Sequence, residues 1–160
     1  MSSIRQRLMD AIELRCKTML KANDYATNLG ANVFVWRPQI DPTTFQEHEL
    51  PALNLCDVTN DSDSQSPNNH HHTLKIQADV IHMKGHLTAV EVRKMIADLH
   101  KCIGADRYWH EDGTGEKLAH RTDLENDAMT VEELGRTIGG ARVTFTVQFR
   151  TAPYAPDTLR

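Results

Sequence analysis

The sequence has little of what identifies several common protein classes. Of its 160 residues only 3 are cysteines and 6% are aromatic. Cys16, Cys56 and Cys102 lie far apart and are odd in number, so their spacing predicts neither a disulfide framework nor a zinc site. No run of about 18 apolar residues is present, so no membrane-spanning helix is predicted. We therefore expect an ordinary hydrophobic core in a reducing compartment.

An excess of basic charge is also missing. The formal net charge is -4, with 18 lysines and arginines against 22 acidic residues. A dedicated nucleic-acid-binding protein normally needs a basic surface to neutralise phosphates, so this composition argues against one. Arg5, Arg7 and Asp10 stand where a signal peptide would need its apolar stretch. We expect a protein that is neither secreted nor inserted in a membrane.

Charge is unevenly distributed along the chain. Segments 41–70 and 102–135 each carry a net charge of -6, whereas 1–40, 71–101 and 136–160 carry +3, +2 and +3. The acidic segments are also the least regular ones. The simplest interpretation is a pair of solvated acidic loops; the functional interpretation is charge complementarity toward a partner.

The first half of the chain predicts a helix and two strands. Ser3 and Gln6 form a capping box before an apolar repeat that fades at Asn23-Asp24. The segments 33–36 and 50–57 are each typical of a strand. Residues after Val58 are almost all polar, and we predict a mobile loop over 58–72.

The second half predicts a long strand, a helix and further strands. Apolar and polar residues alternate over 74–82, and Thr88 and Glu91 form a second capping box for a helix that ends at Gly104. Residues 105–115 predict a polar loop. The weak alternation over 118–129 favours a strand, Thr130 to Gly135 one helical turn, and the alternation over 143–149 a half-buried strand.

This order of elements favours an α+β fold. We predict a mainly antiparallel or mixed sheet of four to five strands with two helices packed on one face. The predicted domain spans 1–154, followed by an extended tail at 155–160.

The search for catalytic chemistry gives only a weak candidate. His70 and His72 would share one face of a strand and could meet one metal ion, but no spacing fixes the third ligand that a zinc site needs. No nucleophile elbow, zinc-protease motif or phosphate-binding glycine loop is present. We therefore predict no catalytic, cofactor-binding or metal-binding residues and no enzyme, and keep a histidine-based metal site as an alternative.

Several segments resemble the tail terminator (tail completion, minor tail protein U-like) family of long-tailed bacteriophages. They are Ser3-Ile4-Arg5, Asn32-Val33-Phe34 before Arg37-Pro38, Leu50 to Leu55, the strand 73–82, the helix 88–103 with Gly104-Ala105-Asp106, and Gly140 to Arg150. Together they cover most of the chain to about residue 154. The chain departs from the family pattern at the polar segment 57–69 and the longer stretch 105–117.

The resemblance implies a small α+β domain that forms a hexameric ring on the last ring of the tail tube. Such a ring stops tube polymerisation and presents a surface for head attachment. The implied partners are further copies of this chain, the tail-tube protein and head-tail connector proteins, in a virion assembled in the bacterial cytoplasm, with DNA passing through the ring. A head-tail connector or another tail-completion subunit is the alternative within the same class.

A ring also needs two different surfaces that complement each other. We hypothesise that a basic flank meets acidic loop residues on a neighbour or on the tube. The basic residues are Arg37, Arg142 and Arg150, and the acidic residues are Asp61, Asp63, Glu111 and Asp112. We further hypothesise that the loop 58–72 is disordered in the free protein and ordered against a partner.

Overall fold

The computed structural model describes residues 2–38, 45–133 and 137–160. Two α-helices and six strands occur in these ranges. They are α1 (Ile4–Cys16), β1 (Val33–Val35), β2 (Ala52–Ser66), β3 (Asn69–His82), α2 (Thr88–Ala105), β4 (Arg121–Glu133), β5 (Thr137–Ala152) and β6 (Ala155–Leu159). The six strands form one mixed sheet, and the fold is α+β as predicted.

The sheet has the strand order β1-β2-β3-β5-β4, and β6 pairs with the end of β5. Only β1 and β2 are parallel; the other pairs are antiparallel. The central ladder joins β3 to β5 from His70 opposite Thr151 to His82 opposite Gly139. Because register partners share a face, this ladder places alternate residues of both strands against the helices.

The core lies between the two helices and one face of the sheet, here called the helix face. Its strand residues are Leu53, Leu55, Leu74, Ile76, Ala78, Val80, Val143, Phe145, Val147 and Phe149, and its helix residues include Ile4, Leu8, Ile12, Val92, Met95 and Leu99. The three cysteines are free thiols, and Cys16 and Cys102 lie in this core. The opposite side carries no helix and is called the open face; at one end of it Phe45, Ala52 and Ile81 form a second, smaller buried cluster.

The two helices begin close to where the capping residues predict. Ser3 caps α1 by accepting a hydrogen bond from the Gln6 N–H at 3.2 Å. In α2, however, Thr88 is the first helical residue rather than the cap, and its hydroxyl accepts from the Lys84 N–H at 2.9 Å. Helix α1 ends at Cys16, earlier than the apolar pattern suggests.

The early end of α1 is stabilised by a close backbone contact. A Cβ atom at Gly30 would lie 2.7 Å from the carbonyl oxygens of Cys16 and Lys17, so only glycine fits there. The buried carboxylate of Asp98 in α2 accepts hydrogen bonds from the Ala26 and Thr27 N–H groups at 3.0 and 2.8 Å. The chain after α1 is therefore fastened to both helices.

The prediction of a loop over 58–72 is wrong. Residues 58–66 continue β2, and residues 69–72 begin β3. The predicted strand 50–57 is thus only the inner part of a long hairpin, whose outer part, residues 58–72, we call the outer hairpin. Its residues are polar because the helices cover only the inner part, but the backbone ladder to β3 and β5 continues to the tip.

Predictions for the C-terminal half are partly correct. The strand expected over 118–129 is β4, which starts at Arg121, and the expected strand 143–149 lies within the longer β5. The helical turn expected from Thr130 is wrong, since residues 130–133 continue β4 in register with β5; the last two residues of that prediction lie outside the described ranges. Part of the predicted tail forms β6.

Candidate assembly surfaces

Away from the Phe45 cluster, the open face of the sheet is polar and carries cross-strand ion pairs. Asp79 of β3 and Arg142 of β5 are register partners, and the Arg142 Nε and Nη2 atoms donate to the Asp79 carboxylate at 2.7 and 2.9 Å. Hydrogen bonding to Asp79 raises the pKa of Arg142. Lys75 Nζ lies 3.2 Å from the Glu125 carboxylate. Exposed pairs of this kind stabilise a fold only slightly, so this face is organised but not strongly held.

A cleft of about 520 Å³ lies on the open face beside the outer hairpin. Its charged or titratable lining residues are Asp61, Asp63, His71, His72, His120 and Arg150. The Arg150 Nε atom donates to His71 Nδ1 at 3.2 Å. Burial, followed by the charges of Arg150 and Lys117, lowers the pKa of His120.

The structure brings together only some of the seven residues hypothesised as contacts. Asp61, Asp63 and Arg150 line the same cleft of one molecule. Asp112 is exposed on a separate loop. Of the other six residues, only its neighbour Glu111 lies on the same loop.

The remaining three are already paired within the chain. Arg37 forms a bidentate pair with Glu49 at 2.9 and 3.3 Å. Glu111 pairs with Arg7 of α1 at 2.6 and 2.8 Å, and Arg142 pairs with Asp79. An intermolecular contact through any of these three would have to compete with, or add to, an existing ion pair.

The segment 106–120, here called the Trp109 loop, is irregular but firmly attached. The Trp109 side chain is fully buried, lies against the Arg15 guanidinium at 3.7 Å, and donates from Nε1 to the Thr122 hydroxyl at 2.9 Å. Arg7 donates to both Glu111 and Glu116. The hydrogen bonds from Arg7 and then Thr114 lower the pKa of Glu111 to about 2.

A second carboxylate fixes the start of the same loop. Asp106 accepts from Arg15 Nη2 at 3.0 Å and from His110 Nδ1 at 2.8 Å. Burial alone would raise the pKa of Asp106, but hydrogen bonds from His110 and from the Tyr108 N–H lower it to about 2. Sequence reasoning missed the arginine attachments because Arg7 and Arg15 lie 91 to 109 residues before their carboxylate partners.

The histidine run is placed as the strand pattern predicts, with His70 and His72 on one face. Their ring centroids are 6.4 Å apart. His72 stacks on Phe149 at 4.7 Å, its Nδ1 atom contacts Ser62 and Asn60 at 3.0 and 3.1 Å, and its Nε2 atom contacts the Thr151 hydroxyl at 2.9 Å. Both ring nitrogens are therefore occupied by protein groups. Among the described residues, no group of three or more histidines, cysteines or carboxylates is placed to hold a metal ion.

Trp36 is an exposed aromatic residue that sequence reasoning treated only as part of a strand. It follows β1 with a φ angle of 52°, which is uncommon for a bulky residue, and 56% of it is exposed. Its Nε1 atom donates to Asp57 Oδ1 at 2.6 Å, and Arg5 Nε donates to the other oxygen of the same carboxylate. The indole is thus held in place at the surface.

Within the described ranges, no strand pairs with the outer side of either edge of the sheet. Strand β1 pairs with β2 over only three residues, so within the described ranges β2 has no neighbour on that side beyond Asp57. On the opposite side β4 pairs only with β5. Such edges present backbone N–H and C=O groups to any strand that approaches them.

Comparison with known proteins adds no identification. The sequence matches no protein-family model and no curated protein. None of the helices in the described ranges is long and apolar enough to cross a membrane.

Proposed function

We propose that this chain is a tail terminator of a long-tailed bacteriophage, a structural subunit that forms a ring on the tail tube, stops its polymerisation and offers a surface for head attachment. The proposal starts from the sequence segments that resemble this family. It agrees with the α+β fold that the resemblance implies and with the order of helices and strands along the chain.

The observation that carries the proposal is that the sheet has two edges, on opposite sides, with which no other described strand pairs. A subunit with two different adhesive edges can associate head to tail, and a head-to-tail contact generates a closed ring when the rotation between copies closes. Ring closure leaves no subunit with a free edge.

The charge on the molecule is compatible with assembly on other proteins. The open face has paired carboxylates and cations rather than a basic surface, with Arg142 on Asp79 and Lys75 near Glu125. A surface of this kind suits protein partners better than direct phosphate binding. DNA would therefore pass through the ring without sequence-specific contacts.

The decisive experiment is a tube-length assay. The purified chain is added to polymerising tail-tube protein from the same phage, and tube lengths are measured by electron microscopy. We expect shorter tubes with a ring at one end, with the length falling as the concentration of the chain rises. An unrelated protein of equal size and net charge serves as the control.

The same assay separates the two roles within this class. A head-tail connector would leave tube length unchanged and bind instead to the head or to finished tails. Tubes of unchanged length with no density at either end would contradict the terminator proposal.

A further inference from the structure

We propose that the β4 edge of one copy pairs with the β1 edge of the next copy, so that the sheet continues across the subunit boundary. This inference depends on the proposed function only for the expectation that the copies close into a ring of fixed number. The edge pairing itself is argued from exposed apolar side chains at the two edges and from the charges between them.

The first observation concerns the β1 edge. Val35 is the register partner of the buried Leu55, so it belongs to the helix face, yet it is 39% exposed. The next residue, Trp36, donates a hydrogen bond to Asp57. Asp57 is the register partner of the buried Ile76, so Asp57 also lies on the helix face. A rigidly held, exposed tryptophan beside a valine is typical of the centre of a protein interface.

The second observation concerns the β4 edge. Leu124 is the register partner of the buried Phe145, and Val131 is the register partner of Gly139, which lies against Thr88 and Val92 of α2. Both therefore lie on the helix face, and they are 45% and 39% exposed. A bulge between Leu124 and Asn126 leaves 126–131 as the regular part of this edge.

The two edges thus expose apolar groups on the same face of the sheet. In a sheet that continues from one copy to the next, the faces are preserved, so these groups of neighbouring copies come together beside the helices. Strands β1 and β4 run in opposite directions within one copy, because β1 is parallel to β2 and three antiparallel steps separate β2 from β4. Copies in the same orientation would therefore form an antiparallel junction.

Charge favours this pairing over pairing of an edge with itself. The β4 edge carries Asp123, Glu125 and Asp127 against one arginine of the same strand, Arg121. Each carboxylate also has a partner within the chain, namely Arg121, Lys75 and His100. The strand itself stays net acidic, so two β4 edges would bring an excess of like charges together, which is destabilising. At the β1 edge Arg5 and Arg37 flank Trp36, and the Arg5 side chain remains 43% exposed although it is paired with Asp57. We therefore expect the β4 edge of one copy to bind the β1 edge of a second copy.

Cysteine cross-linking tests the pairing directly, in a Cys56→Ser background so that only buried native thiols remain. A Val35→Cys protein is mixed with either a Leu124→Cys or a Val131→Cys protein and oxidised with diamide, with and without tail tubes. We expect a disulfide-linked dimer in at least one of these mixtures. No dimer in either mixture, in solution or on tubes, would overturn the pairing.

Charge insertion provides a matched comparison. Leu124 and Leu14 are the same residue type with similar exposure, 45% and 49%, but Leu14 lies on α1 and not on an edge strand. In sedimentation velocity, Leu124→Lys should shift the wild-type oligomer to monomer, whereas Leu14→Lys should leave it unchanged. The opposite result, or no effect of Leu124→Lys, would contradict the edge pairing.

Failure of this inference is distinguishable from failure of the proposed function. If the wild type shortens tubes but neither cross-linking nor Leu124→Lys behaves as expected, the terminator role stands and the subunits meet elsewhere. If cross-links form but tube length never changes, the chain forms edge-paired assemblies with a different role. A wild type that remains monomeric both in solution and on tubes overturns the edge pairing.

Discussion

The outer hairpin and the Trp109 loop are both polar and acidic in sequence, yet they are held in different ways. The outer hairpin is regular: it extends β2 and β3, and its residues pair with β5 up to His70 opposite Thr151. The Trp109 loop has backbone hydrogen bonds of its own, from the Leu118 N–H to Trp109 and from the Ala119 N–H to Tyr108. Its attachment to the rest of the molecule depends chiefly on side chains from α1 and β4. The outer hairpin is attached to the sheet by its backbone, whereas the Trp109 loop is attached chiefly by particular side chains.

This difference decides how each segment should respond to mutation. A backbone ladder tolerates most side-chain changes, because its hydrogen bonds do not depend on residue identity. A segment attached through Trp109, Arg7 and Arg15 should lose its structure when one of them is removed. Single substitutions should therefore have large effects in the Trp109 loop and small, local effects in the outer hairpin.

The largest expected effect is that of Trp109→Ala. The indole is fully buried, stacks near Phe145 at a centroid distance of 6.3 Å, and packs under Arg15. Removing a buried aromatic side chain typically costs about 3–5 kcal/mol, and here it also leaves the Thr122 hydroxyl without its donor. Urea unfolding followed by circular dichroism measures the change.

The adjacent residue supplies the control for this prediction. Tyr108 is 45% exposed, so Tyr108→Ala should change the free energy of unfolding by less than about 1 kcal/mol. If Trp109→Ala and Tyr108→Ala had equal effects, the loop would not depend on the buried indole, and the contrast with the outer hairpin would fail.

A smaller effect, with a characteristic pH dependence, is expected for Arg7→Gln. Hydrogen bonding to Arg7 lowers the pKa of Glu111 from its usual 4.5 to about 2. A carboxylate whose pKa is lower in the folded state stabilises the fold above pH 4.5, and this stabilisation is lost as the pH falls from 4.5 toward 2. The variant should therefore lose about 1 kcal/mol at pH 7 and progressively less toward pH 2.

Urea unfolding of wild type and Arg7→Gln at pH 7 and pH 3 tests this prediction. The neighbouring exposed carboxylate provides a control: Asp112→Asn should change stability little at either pH. A loss for Arg7→Gln that was the same at both pH values would mean that Arg7 contributes packing rather than charge.

Local patterns predicted much of the fold from the sequence. The alternation over 74–82, the Ser3 cap and the apolar stripe of α2 identified elements that the structure contains, because these patterns reflect contacts with one continuous core. The fold class followed from their order. The strand over 58–66 was missed because both its faces are polar, so no alternation of apolar residues distinguishes it from a loop.

The candidate surfaces were much less predictable. Whether Arg37, Glu111 or Arg142 is free or paired depends on Glu49, Arg7 and Asp79, and nothing in the spacing of these residues indicates the pairings. The exposure of Val35 and Leu124 likewise depends on which strands lie at the edges of the sheet. The periodicity of apolar residues within a strand does not indicate the order of the strands. The positive φ angle of Trp36 has no signal in the sequence either.

The smallest expected effect is a local loosening of the outer hairpin at low pH. Burial, followed by the neighbouring charges of His70 and His71, lowers the pKa of His72. A histidine whose pKa is lower in the folded state stabilises the fold when neutral, and this stabilisation is lost as the pH falls below its usual 6.5. Asn60 Nδ2 can only donate, so His72 Nδ1 accepts from it and a proton there would remove that hydrogen bond.

Hydrogen exchange measured by mass spectrometry at pH 7.5 and pH 5.5, corrected for intrinsic rates, tests this prediction. Exchange over 59–72 should accelerate severalfold at pH 5.5 relative to 74–80, because the inner part of β3 is held by the core as well as by its ladder. In His72→Gln the acceleration should disappear while the backbone pairing persists. Equal acceleration in wild type and variant would instead place the pH-sensitive group elsewhere, with His120 in the adjoining cleft as the next residue to replace.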